Sequence, residues 1–583
     1  MTPVTQLFRW PDYVVLITTL ALSLAIGLYF GCFRGFTNVE EYLMGNRKMD
    51  VFPITMSLVA SYVSGISILG IPTDTYLYGI SYLYSIIGLT ITAVIMNRIF
   101  LPVFYNLKLT SAYEYLEMRF DKKVRIFGSI LFGIYNMTWI AMVMYVSGLT
   151  LSQATGLNVH LITPMVCLIC VLYTTLGGLK AVVWTDVIQA TMMLLALILV
   201  LIKGTVDVGG FSTILERNYE SGRIETPSLD FDPRSKYTLW SLSIGASVYF
   251  LMTTGIDQTM LQRYLSLSSL RSAKKTVWFF VLGYGVFVTL GCYCGILMYA
   301  AFYKCDPLLT QLAEKKNQLV PLFVMKILNE FPGFPGIFVA GILSASLSSL
   351  STGLNSMAAV ILEDFQKVYI RRSLSERMSS IIMKLSVVIF GTLCVGLVYI
   401  IEKLGAILQV YMSVGAVTNG TTLGLFTVGI LLPWVNEKGA LTGGISSLVF
   451  MGWLCFRAQA EIASGTLVYS QKPLTTEECQ SNFTFVQQEG IMINLNTSGI
   501  TQPEKNFEMY HVSYLWYTLM GTVIVIIVSL LVSFITKPLN PNEVNTNLLA
   551  PFLGTLVKSP IRSNESVIYN FPAIEEMEMV NEE

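Results

Sequence analysis

The 583-residue sequence predicts an all-α polytopic membrane protein of about thirteen transmembrane helices. Two features of composition and one of patterning lead to that class. Hydrophobic residues make up 54% of the chain and charged residues only 13%, against about 25% charged in a typical soluble domain. Mean hydropathy is +0.62. Apolar runs of about 20 residues, enough to cross a bilayer as a helix, recur along the chain. In lipid only helices and closed barrels satisfy their own backbone, and runs this long are helices. Net charge is zero, so no basic surface invites nucleic acid.

Spans are expected near residues 13–32, 51–78, 81–106, 124–153, 161–177, 184–206, 238–258, 275–303, 334–361, 379–401, 405–432, 438–457 and 513–536. No small-residue cleavage pattern follows the first run, which reads as a retained helix. Arg34, Arg47 and Lys48 follow span one, and Lys108, Arg119, Lys122, Lys123 and Arg125 follow span three. Arg263, Arg271, Lys274 and Lys275 follow span seven, and Lys367, Arg371, Arg372 and Arg377 follow span nine. All four clusters fall on one side, which the positive-inside rule makes cytoplasmic. The N-terminus is then extracellular and the C-terminus cytoplasmic. The acceptor patterns at Asn482 and Asn496 fall in the long loop before the last span, on the outside, where glycosylation is expected.

The chain thus divides into an extracellular N-terminus with the first helix (1–32), a core (33–432), two further helices with a glycosylatable loop (433–536) and a tail (537–583). The tail is rich in Pro, Asn and Glu and is expected to be disordered, either simply solvated or binding partner proteins. Nine cysteines, most of them inside apolar runs, and only two histidines argue against a zinc site. Cys305 and Cys479 both fall in outside loops, and a disulfide between them is one pairing the topology allows.

Two spans carry weak points. Span two reads Ser61-Tyr62-Val63-Ser64-Gly65-Ile66-Ser67, with small and hydroxylated residues at its centre. Span seven carries Met252-Thr253-Thr254-Gly255-Ile256-Asp257-Gln258. They lie five helices apart. Membrane carriers with inverted repeats place a discontinuous helix at matching positions of each half, with the binding site at the breaks. Small residues also serve close helix packing, which is the plainer alternative for either span alone. Span nine adds Ser344, Ser348 and Thr352 on one face, with Ser349 beside them. Hydroxyls there, facing bare carbonyls of an unwound helix, form an oxygen shell suited to a dehydrated sodium ion.

At these residues the sequence resembles the sodium:solute symporter family (solute carrier family 5). The segment Tyr173-Thr174-Thr175-Leu176-Gly177-Gly178-Leu179-Lys180-Ala181-Val182-Val183-Trp184-Thr185-Asp186 carries the likeness, with Gln262-Arg263-Tyr264-Leu265, Glu114-Tyr115-Leu116-Glu117-Met118-Arg119-Phe120 and the serine run. The opening Trp10-Pro11-Asp12-Tyr13 and Leu101-Pro102-Val103-Phe104-Tyr105 are most similar to the iodide, monocarboxylate and multivitamin branch. The resemblance implies a LeuT-type fold with two inverted five-helix repeats, spans two to six and seven to eleven. It also implies sodium-coupled import of a small organic anion, such as lactate, pyruvate or nicotinate, across the plasma membrane. Biotin, pantothenate, iodide, or a neutral sugar or choline are the alternatives on the same fold, and a transport-dead sensor is the remaining one. Sodium is the coupling ion, no cofactor is implied, and lipid and the solute are the partners.

Carried over, the sodium site falls on the carbonyls of Ala60, Val63 and Ala345 and the hydroxyls of Ser348 and Ser349. The solute cavity falls near Ser64, Ser67, Trp139, Tyr145, Thr253, Thr254, Asp257, Thr421 and Thr422. Asp186 lines the sodium exit path or caps a helix. Asp257 departs from the Asn usual in this branch and stands open to three roles: a second cation, a proton, or a pair with Arg263. No nucleophile–base set, metal cluster or phosphate loop points to an enzyme.

Overall fold

The computed structural model describes residues 8–554, apart from 35–37, 314–315, 329, 371–374, 404–406, 465, 468, 478 and 480–507. The sequence-predicted glycosylation sites Asn482 and Asn496 lie outside the described residues. Described residues are almost entirely helical, with two isolated bridges as their only β contacts.

Among the described residues ten helices are long and apolar enough to cross a bilayer, and eleven with the bent pair of span two. Dividing Val159–Val208 at Gly178 and counting the shorter helix Ser241–Ile256 matches the thirteen expected spans. Span one is Trp10–Phe33, span three Ile80–Asn106, span four Lys122–Thr155 and span eight Leu270–Ala301. Span nine is Phe334–Phe365, span ten Glu376–Glu402, span twelve Glu437–Ala463 and span thirteen Tyr514–Ile535. Span eleven is Ile407–Leu431. Spans five and six are contained in Val159–Val208, which leaves helical geometry at Gly178. There φ is +51°, and an added Cβ would meet the Tyr42 carbonyl at 2.8 Å, so the turn needs glycine. Spans two and seven are the two broken ones. Span two consists of Val51–Tyr62 and Gly65–Tyr78, bent by 61°. Span seven runs Ser241–Ile256, then restarts as Gln258–Leu265.

Span nine is buried along nearly its whole length, packed against the hairpin of spans five and six, span four and span two. It is the axis of the molecule. Spans twelve and thirteen pack on span eleven at the periphery.

Two features differ from expectation. The short apolar helix Leu319–Leu328 lies between spans eight and nine, where no helix was predicted. The start of the tail is not disordered either. Residues 537–554 fold against the basic face: Leu539 N–H donates to Trp434 O (3.0 Å), Ala550 N–H to Ile430 O (3.0 Å) and Tyr115 Oη to Leu548 O (2.9 Å). Leu548, Leu549 and Ala550 are buried there. The polar average of the tail conceals this short apolar anchor; residues 555–583 lie outside the described set.

On the opposite face, Cys305 is disulfide-bonded to Cys479. Beside it a strap crosses the end of span two. Lys472 N–H donates to Leu77 O (2.8 Å), and Arg223 donates to Tyr76 O (2.8 Å) and Pro473 O (3.0 Å).

Candidate functional site

The break in span two begins where Val63 leaves helical geometry (φ −78°, ψ 91°) and Ser64 extends (φ −86°, ψ 168°). Ser64 then caps the second half-helix, its Oγ accepting the Ser67 N–H at 3.4 Å. The sequence permits this because Gly65 lets its neighbours close in: a Cβ there would stand 2.7 Å from Ser147 Oγ. Among the described residues no backbone N–H beyond the break bonds the carbonyls of Ala60 or Val63. Backbone oxygens freed in this way need other partners at membrane depth.

Span nine lies against them. Ser349 Oγ donates to Ser61 O (3.1 Å), Ser348 Oγ bonds Ser61 Oγ (2.8 Å), and Thr352 Oγ1 bonds the same hydroxyl (2.9 Å). The serines therefore face the break and not lipid. Ala345 is fully buried on the same helix, and the buried Ser344 hydroxyl finds no protein partner. Of the predicted sodium set, Ser348 and Ser349 thus meet span two at Ser61, between Ala60 and Val63 in the chain, and Ala345 is buried on the helix that carries the two serines.

A charged plug lies toward the basic face. Arg263 donates to Ser57 O (2.6 Å), to Ser61 Oγ (2.8 Å) and to Thr352 Oγ1. Asp186 Oδ2 accepts from Ser57 Oγ (2.6 Å) and stands 3.9 Å from Arg263 Nη1. This network joins spans two, six, seven and nine beneath the sodium set. Asp186 lies inside the helix that resumes after Gly178, so its alternative role as an N-terminal cap does not hold.

At span seven the break is at Asp257 (φ −53°, ψ 129°), whose Oδ1 accepts the Thr259 N–H at 2.9 Å and the Thr259 hydroxyl. The expected pairing of Asp257 with Arg263 is absent. Six residues advance a helix by roughly 600°, which turns Arg263 well away from Asp257 and toward span two.

The other solute-cavity residues divide. Thr253 Oγ1 meets Tyr62 Oη at 2.9 Å, which ties span seven to the break in span two. Ser64 and Ser67 lie at that break, and Trp139 packs beside Ile66 with Tyr135, Met142 and Val146. Tyr145 and Thr422 are buried. Thr254 returns its hydroxyl to Phe250 O (2.7 Å). Thr421 turns away from the cavity, donating to Ser447 Oγ of span twelve at 3.0 Å. Adjacent helical residues diverge by about 100°, so Thr421 and Thr422 cannot both face the core. A small cavity beside the break is lined by Val63, Ser67, Ile68, Ile71, Tyr284 and Phe287.

Sequence reasoning missed Tyr62, Ser61 and the role of Arg263. Tyr62 is the last helical residue before the break, with Phe280 and Tyr284 edge-on to its ring. Its place beside the glycine–serine run was the available signal.

The model of the sodium:solute symporter family matches residues 42–447. Sodium-coupled monocarboxylate transporter 1 of Homo sapiens is 35% identical, covering 90% of this chain and 87% of that protein. The sodium-dependent multivitamin transporter of Oryctolagus cuniculus is 34% identical over 95% of this chain and 87% of its own. Among solved structures, a sodium-coupled sialic acid symporter in a substrate-bound outward-open state aligns over 92% of this chain with a TM-score of 0.73 at 22% identity, which shows the shared fold. The sodium-coupled relatives and the oxygen-lined break agree, and the chain belongs to the sodium:solute symporter family.

Proposed function

We propose that this sodium-coupled symporter imports a small monocarboxylate, such as lactate, pyruvate or nicotinate, across the plasma membrane by alternating access. The observation that carries the anion is the half-helix Gly65–Tyr78. Its N-terminus opens at the break, capped only by the neutral Ser64. Bare N–H groups and the positive end of the helix dipole favour a carboxylate there. The residues beside it, Ser64, Ser67, Trp139, Tyr145, Thr253 and Thr422, are uncharged. Sodium is coordinated by Ala60, Val63, Ala345, Ser348 and Ser349, and Asp186 lines its path toward the basic face.

The basic loops support a cytoplasmic assignment for their face. The disulfide on the opposite face supports an extracellular one, because disulfides persist in oxidising surroundings. The N-terminus is then outside, the C-terminus inside, and Asn482 and Asn496 are available for glycosylation.

Stoichiometry sets what such a carrier achieves. One sodium with one monovalent anion moves no net charge, and a tenfold sodium gradient gives about tenfold accumulation. A second co-transported cation adds its own gradient and about 1.4 kcal/mol from roughly 60 mV of membrane potential.

The test is uptake of radiolabelled lactate, pyruvate, nicotinate, biotin, iodide and glucose in cells expressing the protein, with and without sodium. Sodium-dependent uptake confined to the monocarboxylates is expected. Transport of biotin alone would favour the second reading, a vitamin carrier, which the 34% identity to the rabbit multivitamin transporter supports. Glucose uptake would contradict both.

A further inference from the structure

Asp257 is 4% exposed at the centre of a broken span. Its Oδ1 caps Gln258–Leu265 through Thr259, while its Oδ2 is buried with no hydrogen-bond partner among the described residues. A carboxylate half-satisfied in this way is among the most costly groups to bury.

The groups around it do not neutralise it. Arg263, on the same half-helix, is committed to Ser57, Ser61 and Thr352, with Asp186 of span six as its nearest carboxylate. From the segment before span four comes Tyr113, whose buried hydroxyl also lacks a partner. Burial, followed by the charges of Asp257 and of Asp364 on span nine, pushes that phenol well above its usual range, so it stays neutral. Asp364 is balanced by Arg125 at 2.6 Å, with Ser111 and Ser129 donating to its other oxygen. Arg263 acts on Asp257 only through space, and no ion pair is made to either carboxylate oxygen among the described residues.

An alkali ion would need oxygens on several sides, whereas the unpartnered oxygens that can be named here are Asp257 Oδ2 and the Tyr113 hydroxyl. A proton needs one oxygen. We propose that Asp257 is a proton-binding site, and that its proton crosses the membrane with sodium and the solute. The O–H bond forms on Oδ2 from solvent on the extracellular side and breaks toward cytoplasmic water when Gln258–Leu265 moves. No electron transfer is involved. With one sodium, one proton and one monovalent anion, each cycle carries one net positive charge.

The proposal builds on the symport reading above, and its test separates the two. Purified protein in proteoliposomes is given pyruvate at fixed sodium gradient and clamped voltage, and protein-free vesicles subtract permeation of the free acid. A tenfold inward proton gradient is expected to raise steady-state accumulation about tenfold. Asp257→Asn is expected to remove that response and Asp257→Glu to retain it. Accumulation in the wild type that ignores the proton gradient overturns the proposal, as does a response that survives in Asp257→Asn. Dependence on the second power of the sodium gradient, without a proton effect, overturns it in favour of a second sodium. Absence of sodium-dependent pyruvate uptake would instead count against the substrate reading. The proton site is then decided on solute-free protein, by a protonated-carboxyl infrared band that grows as pH falls and that Asp257→Asn diminishes. An identical band in both proteins overturns the proposal.

Discussion

Span two breaks at Val63–Ser64 and is capped by a neutral hydroxyl, whereas span seven breaks at Asp257 and is capped by a carboxylate. Around the first break the carbonyl and hydroxyl of Ser61 meet three hydroxyls of span nine, and the one acid that joins them, Asp186, has Arg263 beside it. Around the second, the Asp257 carbonyl is already taken by the Met260 and Leu261 N–H groups, and a bare carboxylate oxygen is left over. One break therefore offers dipoles to an ion that arrives with its own charge. The other carries a charge of its own that must be neutralised. Matched geometry in the two repeats does not imply matched chemistry. Arg263 keeps the two apart by reaching from span seven to the span-two side.

The largest effect should come from removing that separator. Arg263→Met leaves Asp186 buried without its cation and is expected to cost about 3–5 kcal/mol, the range for breaking a buried pair. Thermal unfolding in detergent measures it, and adding Asp186→Asn should restore much of the loss. No recovery in the double variant would mean that Arg263 acts through the span-two hydroxyls alone.

The Cys305–Cys479 bond comes next, because it anchors the strap over the second half of span two and has no counterpart at span seven. Cys479→Ser is expected to lower stability by about 2–5 kcal/mol in the loop-entropy picture. Reducing agent should lower the melting temperature of the wild type and leave that of the variant unchanged.

The caps themselves give smaller, opposed effects. Ser64→Ala should cost about 1 kcal/mol and Ser64→Gly only a few tenths, as at other helix N-termini. Asp257→Asn should leave the melting temperature nearly unchanged, because Asn caps as well as Asp. A large loss in that variant would assign the Asp257 charge a structural partner. The smallest effect is at the tail: Tyr115→Phe loses one hydrogen bond to Leu548 O, about 0.5–1.5 kcal/mol.

The spans were legible because hydropathy at this length has one solution in lipid, and predicted and observed ends agree to within about five residues for most helices. The breaks were legible from Gly65 and the serines near it, since small and hydroxylated residues weaken a helix locally. The serine face of span nine was legible from its four-residue spacing. Arg263 was not, because its partners Ser57 and Ser61 lie some two hundred residues away in sequence and no local pattern encodes that meeting. Thr421 was misplaced because span eleven packs on both sides, and periodicity alone does not tell which side is the cavity. The tail anchor was hidden because three apolar residues, Leu548, Leu549 and Ala550, vanish in a polar average.

The most direct measurement is the sodium dependence of uptake in the Ser348→Ala, Ser349→Ala double variant, with the amount of protein at the cell surface quantified in parallel. Loss of sodium-dependent uptake at normal surface abundance is the predicted result, because two of the five oxygens proposed to bind sodium are removed. Unaltered sodium affinity in that variant would contradict the placement of the ion between spans two and nine.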